Sequence, residues 1–181
     1  MKKPQVGILM GSDSDLGIMK DASKVLDELG VENEIIILST HRAPEETARY
    51  AKSAKSRGLK VVIAGAGGAA ALPGSLAALT TLPIIGVPIE TKTLGGVDSL
   101  YSIVSMPPGV PVATVGVNGA KNAGILAVQI IALTDVKISQ NLANYKLKIK
   151  KEVLSKNSRL QKVGWEKYLQ DLPAGRQGKT K

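Results

Sequence analysis

Apolar residues fall in short, nearly unbroken runs along the chain: QVGILM (5–10), ENEIIILS (32–39), LKVVIAGA (59–66), LPIIGVPI (82–89) and VPVATVGV (110–117). Runs of this length without polar alternation predict parallel strands covered on both faces. Between them the period changes. Over 15–29, Leu16, Met19, Val25, Leu26 and Leu29 lie near one helical stripe that ends at Gly30, a residue suited to the left-handed position after a helix. A second helix is predicted over 44–57, with Pro44 at its first position and Glu45 and Glu46 in its first turn, where a fixed φ and negative charge both suit a helix start. Segments 69–81 and 121–133 complete the alternation. Strand and helix in turn, with short links, predict an open doubly wound α/β sheet with right-handed crossovers.

After residue 134 the pattern is different. Ile138, Leu142, Tyr145, Ile149 and Val153 recur at helical spacing, so a long amphipathic helix is expected over 135–170. Its stripe needs a surface to cover, on the chain itself or on a neighbouring subunit. The last segment, DLPAGRQGKTK (171–181), has no periodicity and is expected to be disordered. The organisation read from the pattern is an α/β domain over 1–134, the helix, and the tail.

Composition narrows the chemistry. There is no Phe and one Trp, so Val, Ile, Leu and Ala must build the core. The absence of Cys excludes disulfides, thiolate catalysis and Cys-ligated zinc. A single His without clustered acids argues against a transition-metal site. The first apolar run, Val6 to Met10, is too short for a signal peptide or a membrane span, which points to a cytoplasmic protein with no membrane partner. The net charge of +9 would suggest nucleic acid, but residues 1–136 hold 12 basic and 12 acidic residues while 137–181 hold 12 and 3. The body is neutral and the basic tail lacks an arginine stripe, so no nucleic-acid partner is expected.

Ligands of open α/β sheets bind beyond the carboxyl ends of the strands. Three loops fall there: GSDSD (11–15), STHRAP (39–44) and GAGGAA (65–70). In the first, capping of the next helix accounts for one of Ser12, Ser14 and Asp15 but not all three; Asp15 suits the hydroxyls of a ribose better than an anion. In the second, His41, the only histidine, adjoins Arg42, whose planar fork suits phosphate, while an imidazole exchanges protons near neutral pH. A solvated loop histidine is the plain alternative. In the third, the glycines admit either a ligand against the backbone or close helix–sheet packing. Gly65, Gly67 and Ala70 also fit G-x-G-x-x-A with Glu90 downstream, but the match follows the third strand and Pro73 comes too soon after it.

Taken together, VGILMGSDSD, STHRAP, AGAGGAAALPG and GVDSLYSIVSMPPGVPVATVGV resemble the class I N5-carboxyaminoimidazole ribonucleotide mutases of purine biosynthesis, from Val6 to about Leu133. The resemblance implies a flavodoxin-like three-layer sandwich with a central parallel sheet, and a homo-octamer that uses no metal or organic cofactor. Its long C-terminal helix would reach a neighbouring subunit. It further implies that the substrate is a small ribonucleotide contacted by Ser12 and Asp15, with Asp15 on the ribose. Ser14, Ser39 and Arg42 would cradle the phosphate, Gly67 would lie in the loop against the base, and His41 would be the catalytic acid and base. HRAP favours the mutase over the related direct carboxylase, which usually has Lys and Gly in place of Arg42 and Ala43. One departure stands out: where the family usually reads GAGGAAHLPG, this chain has Ala71. A carboxylase or decarboxylase of a different nucleotide, or an impaired nucleotide-binding relative, are the alternatives that Ala71 leaves open.

Overall fold

The computed structural model describes residues 3–173. Five strands, β1 (Val6–Met10), β2 (Asn33–Ile37), β3 (Val61–Gly67), β4 (Ile84–Ile89) and β5 (Ala113–Thr114), form one sheet in the order β2-β1-β3-β4-β5, with every neighbouring pair parallel. The helices of the α/β body are α1 (Leu16–Glu28), α2 (Pro44–Ala54), α3 (Leu72–Ala77), α4 (Val97–Val104) and α5 (Ala120–Ala132). They cover both faces, and the layers and strand order are those of a flavodoxin-like α/β fold, as expected from the sequence. On one side α1 packs on α5; on the other, Tyr50, Ala51 and Ala54 of α2, Leu72 and Leu76 of α3 and Ile103 of α4 share a core with Leu9, Val62, Ala64 and Ile84 of the sheet.

Local chemistry sets the element ends. α1 stops in a Schellman turn: Gly30 has φ +78, its N–H donates to Asp27 O (3.1 Å), and the Val31 N–H donates to Leu26 O (2.9 Å). α3 is shorter than the predicted span of 69–81, because Pro73 fixes its first turn. β5 shrinks to two residues next to Pro111, which has no N–H to give to the ladder. At the opposite edge, β2 departs from the expectation of strands covered on both faces. Ile35 is 41% and Ile37 52% exposed. A cluster missed in the sequence pins this edge strand to α2: Tyr50 Oη donates to Glu34 Oε1 (2.8 Å), and Arg57 donates to Glu34 Oε2 (3.1 Å) while stacking 4.6 Å from the Tyr50 ring. Burial and the Glu34 carboxylate push the Tyr50 hydroxyl well above its ordinary pKa, so it stays a donor.

The chain divides into two compact units, one running to Leu142 and one from Ala143 onward. Helix α6 (Val136–Val163) spans the division, and α7 (Trp165–Gln170) follows a break at Gly164, where φ is +79. In the first unit Ile138 is buried and Asn141 Nδ2 donates to Leu29 O (3.0 Å). In the second, Arg159 pairs with Asp171 (2.7 Å), while Ile149 and Val153 of the predicted stripe are exposed. Residues 174–181 of the tail read as disordered lie outside the described residues. No described helix is long and apolar enough to cross a membrane.

Candidate active site

The register brings three loops to one place. Met10 sits between Ile37 on one side and Gly65 on the other, so β1, β2 and β3 reach their carboxyl ends nearly level. The order reverses between β1 and β3, and at such a switch point the loops on either side diverge and leave a crevice. The crevice here has a volume of about 470 Å³ and is lined by Gly11, Ser12, Ser14 and Asp15 after β1, by Ser39, Thr40, His41 and Arg42 after β2, and by Ala66, Gly67, Ala70, Ala71 and Leu72 at the end of β3 and beyond it. All seven residues singled out in the sequence, Ser12, Ser14, Asp15, Ser39, His41, Arg42 and Gly67, face this one cleft.

Each loop is held by its own bonds. Ser12 caps a 3-10 turn over Asp13–Asp15, its Oγ accepting from the Ser14 N–H (3.3 Å). Asp15 sits at the cap position of α1 yet makes no capping bond with its side chain. Its carboxylate instead accepts from Ser14 Oγ (3.0 Å). Partial burial, and to a smaller extent the neighbouring Asp13 charge, raise the Asp15 pKa above its ordinary 3.8 against the opposing Ser14 bond. A carboxylate raised in this way gains from new hydrogen-bond donors.

After β2, the Leu38 N–H donates to Met10 O (2.8 Å) and the Ala43 N–H to Ser39 O (2.8 Å), closing a turn from which Thr40, His41 and Arg42 project. Arg42 donates through Nη2 to Gly11 O (2.5 Å), tying this turn to the loop after β1. The His41 side chain is exposed at the cleft, so its ring remains within reach of a ligand. Pro44, Glu45 and Glu46 open α2 directly behind it.

The glycine loop divides by task. At Gly65 a Cβ would lie 2.5 Å from Met19 Sδ, so this glycine serves helix–sheet packing. Gly67 lines the cleft with an ordinary backbone, and Gly68 takes φ +66, which disfavours any side chain. Sequence reasoning missed what holds Gly68. Ser99, fully buried on α4, accepts from the Gly68 N–H (2.9 Å) and donates to Ile89 O (2.7 Å); Ser102 Oγ donates to Gly68 O (3.0 Å). Ala71 lies on the cleft wall at the start of α3. Glu90 is turned to Asn118, whose Nδ2 donates to it (3.0 Å), and it is absent from the cleft lining, which removes the acid a dinucleotide ribose would need. Among the described residues no group of three or more His, Asp or Glu could hold a metal ion.

Comparison with known proteins places the chain in a family. The model of the AIR carboxylase family matches residues 5–152. The N5-carboxyaminoimidazole ribonucleotide mutase of Thermotoga maritima is 55% identical over 166 residues, covering 92% of this chain and 97% of that protein. That of Pyrococcus horikoshii is 54% identical, covering 94% and 96%. The phosphoribosylaminoimidazole carboxylase of Schizosaccharomyces pombe is 54% identical over 93% of this chain but only 30% of its own length. The crystal structure of Treponema denticola PurE superposes with a TM-score of 0.80 at 30% identity, over 87% of this chain and 98% of that one. With a family model that spans most of its length and relatives above half identity, the chain belongs to the AIR carboxylase family.

Proposed function

We propose that this chain catalyses the reaction its bacterial and archaeal relatives are named for, the transfer of a carboxyl group from N5 to C4 of the aminoimidazole ribonucleotide in purine biosynthesis. The observation that carries the reading is the gathering of the only imidazole, a guanidinium and a hydroxyl-rich acidic loop in one cleft, in a chain 55% identical to such a mutase. In this reading Arg42, Ser14 and Ser39 take the phosphate, Ser12 and Asp15 hold ribose hydroxyls, and the Gly67 backbone lies against the base. His41 donates a proton to N5 as the bond from N5 to the carboxyl carbon breaks, leaving aminoimidazole ribonucleotide and CO₂. C4 then attacks the CO₂ carbon, and the proton displaced from C4 returns to His41. Protons and electrons balance without a co-reactant. Acid–base transfer of this kind contributes about 10²–10⁴-fold, and a closed site would keep CO₂ beside C4. One imidazole suffices for both transfers, so Ala71 is compatible with the reaction. The reading extends to a homo-octamer in the cytoplasm.

The test is to incubate the pure chain with the C4-carboxylated ribonucleotide and follow formation of the N5 carbamate. Interconversion is expected, with His41→Asn slower by about 10²-fold or more and unchanged in its melting temperature. An inactive parent chain would overturn the assignment, and an active His41→Asn variant would return His41 to a solvated loop residue.

A further inference from the structure

We infer that Ser99 and Ser102 of α4 are positioning residues for the reaction, acting through the Gly67–Gly68 backbone; this rests on the proposed function, in which that backbone meets the base. Ser99 has one hydroxyl proton, and it goes to Ile89 O at the end of β4 (2.7 Å). The oxygen lone pairs are therefore what the Gly68 N–H meets at 2.9 Å, and the donor–acceptor direction is fixed. Three residues on, one helical turn away, Ser102 donates to the carbonyl of the same glycine (3.0 Å). Both polar groups of Gly68 are thus gripped by a single helix, and Gly68 is held at φ +66 immediately after the cleft-lining Gly67.

The grip does not belong to the core in an ordinary sense. Ser99 and Thr47 are the only fully or nearly fully buried polar residues among those described, and Ser102 is exposed. α4 is itself keyed to the strand ends, since Asp98 accepts from Thr91 Oγ1 (2.9 Å) just past β4. The arrangement connects the end of β4, through α4, to the loop after β3. In the proposed function the phosphate- and ribose-facing groups come from the other two loops lining the cleft, after β1 and β2. Loosening Gly68 therefore leaves those contacts in place and moves only the wall against which the base rests relative to His41. The expected signature is a fall in kcat with little change in KM, because small misplacements in a reacting pair lose up to about 10²-fold.

The experiment uses the full chain and compares Ser99→Ala, Ser102→Ala and Ser102→Thr. Ser102 is exposed, so its alanine variant keeps the core intact even if Ser99→Ala fails to fold. The clamp predicts that Ser102→Ala lowers kcat about tenfold, with KM within about threefold and an unchanged melting temperature. Ser102→Thr, which restores the hydroxyl, should recover the rate. Amide exchange at Gly68 should quicken in Ser99→Ala and Ser102→Ala and return to the parent rate in Ser102→Thr. Ser102→Ala with parental kcat and faster Gly68 exchange would overturn the clamp while the function stands. An inactive parent chain would overturn both.

Discussion

Asp15 shows at the scale of one residue how a site can work against the fold that carries it. A carboxylate at the start of a helix normally stabilises by capping, but Asp15 makes no such bond and is half withdrawn from water. Its pKa is raised, with burial the main cause, so the folded chain holds this proton more tightly than the unfolded one. Between the unfolded and folded values the folded state binds more protons, stability falls as pH rises, and the penalty is complete above the folded value. Asp15→Asn removes the charge. At pH 7 its melting temperature should equal or exceed the parent's, and the difference should vanish on acidification below the ordinary aspartate value. The same change should weaken binding of the C4-carboxylated ribonucleotide about 10- to 100-fold, the range for losing a hydrogen bond to a charged group. Thermal melts across pH and calorimetry check the two halves; a less stable variant at pH 7, or unchanged affinity, would reverse the argument. Residues of this kind were legible in the sequence because they are polar where a strand has just ended. The glycines were less so. Nothing in GAGG distinguishes Gly65, which clears Met19, from Gly68, which needs a positive φ, because the cause lies in distant elements.

Elements were legible in proportion to how regularly they bury apolar side chains. α1 and α5 announce themselves, and they meet through small residues: a Cβ on Gly124 would strike Val25 Cγ1 and lie 2.9 Å from Ala22 O and 3.2 Å from Ala22 Cα. Two of those atoms are backbone and cannot rotate away. Gly124→Ala would gain about 1 kcal/mol of helix propensity, against about 1–3 kcal/mol for overpacking. With backbone as the obstacle the second effect wins, and a fall of about 2–6 °C in melting temperature is expected. Because α1 begins directly after the Ser12–Asp15 turn, weaker ribonucleotide binding should accompany it. A melt at or above the parental temperature would show that α1 and α5 can part freely. α4 was invisible for the opposite reason. Its buried positions are Ser99 and Ile103, one of them polar, whereas Val97, Tyr101 and Val104 are 47%, 65% and 52% exposed. A helix that buries Ser99 beside Ile103 while Val97, Tyr101 and Val104 face outward has no continuous inward apolar stripe to read. The exposed isoleucines of β2 mislead similarly, since their run looks like that of a central strand.

For the whole molecule, the question is what covers the apolar surface left over. Within the first unit the side chains of α4 just named, together with Ile35 and Ile37 of β2, remain exposed. The second unit has little core of its own: Tyr145 is its one buried residue among those described, while Leu147, Val153, Leu154 and Trp165 are 54%, 63%, 53% and 69% exposed. An amphipathic helix whose apolar positions face water is marginal alone and gains stability by burying them. Exposed apolar side chains gathered on one element are the kind of surface that a contact with another chain covers. The proposed homo-octamer would supply that contact with further copies of the chain. Light scattering on the purified chain should therefore give a mass near eight times 18.9 kDa. A chain ending at Leu142 retains the five strands and the buried residues of both sheet faces, so its circular dichroism should keep a cooperative melt while its assembly falls to a smaller mass. A monomeric full-length chain would refute the octamer. A truncated chain that still forms eight-fold assemblies would instead show that the first unit alone builds the contacts, leaving the apolar residues beyond Ala143 to be explained by a partner of another kind.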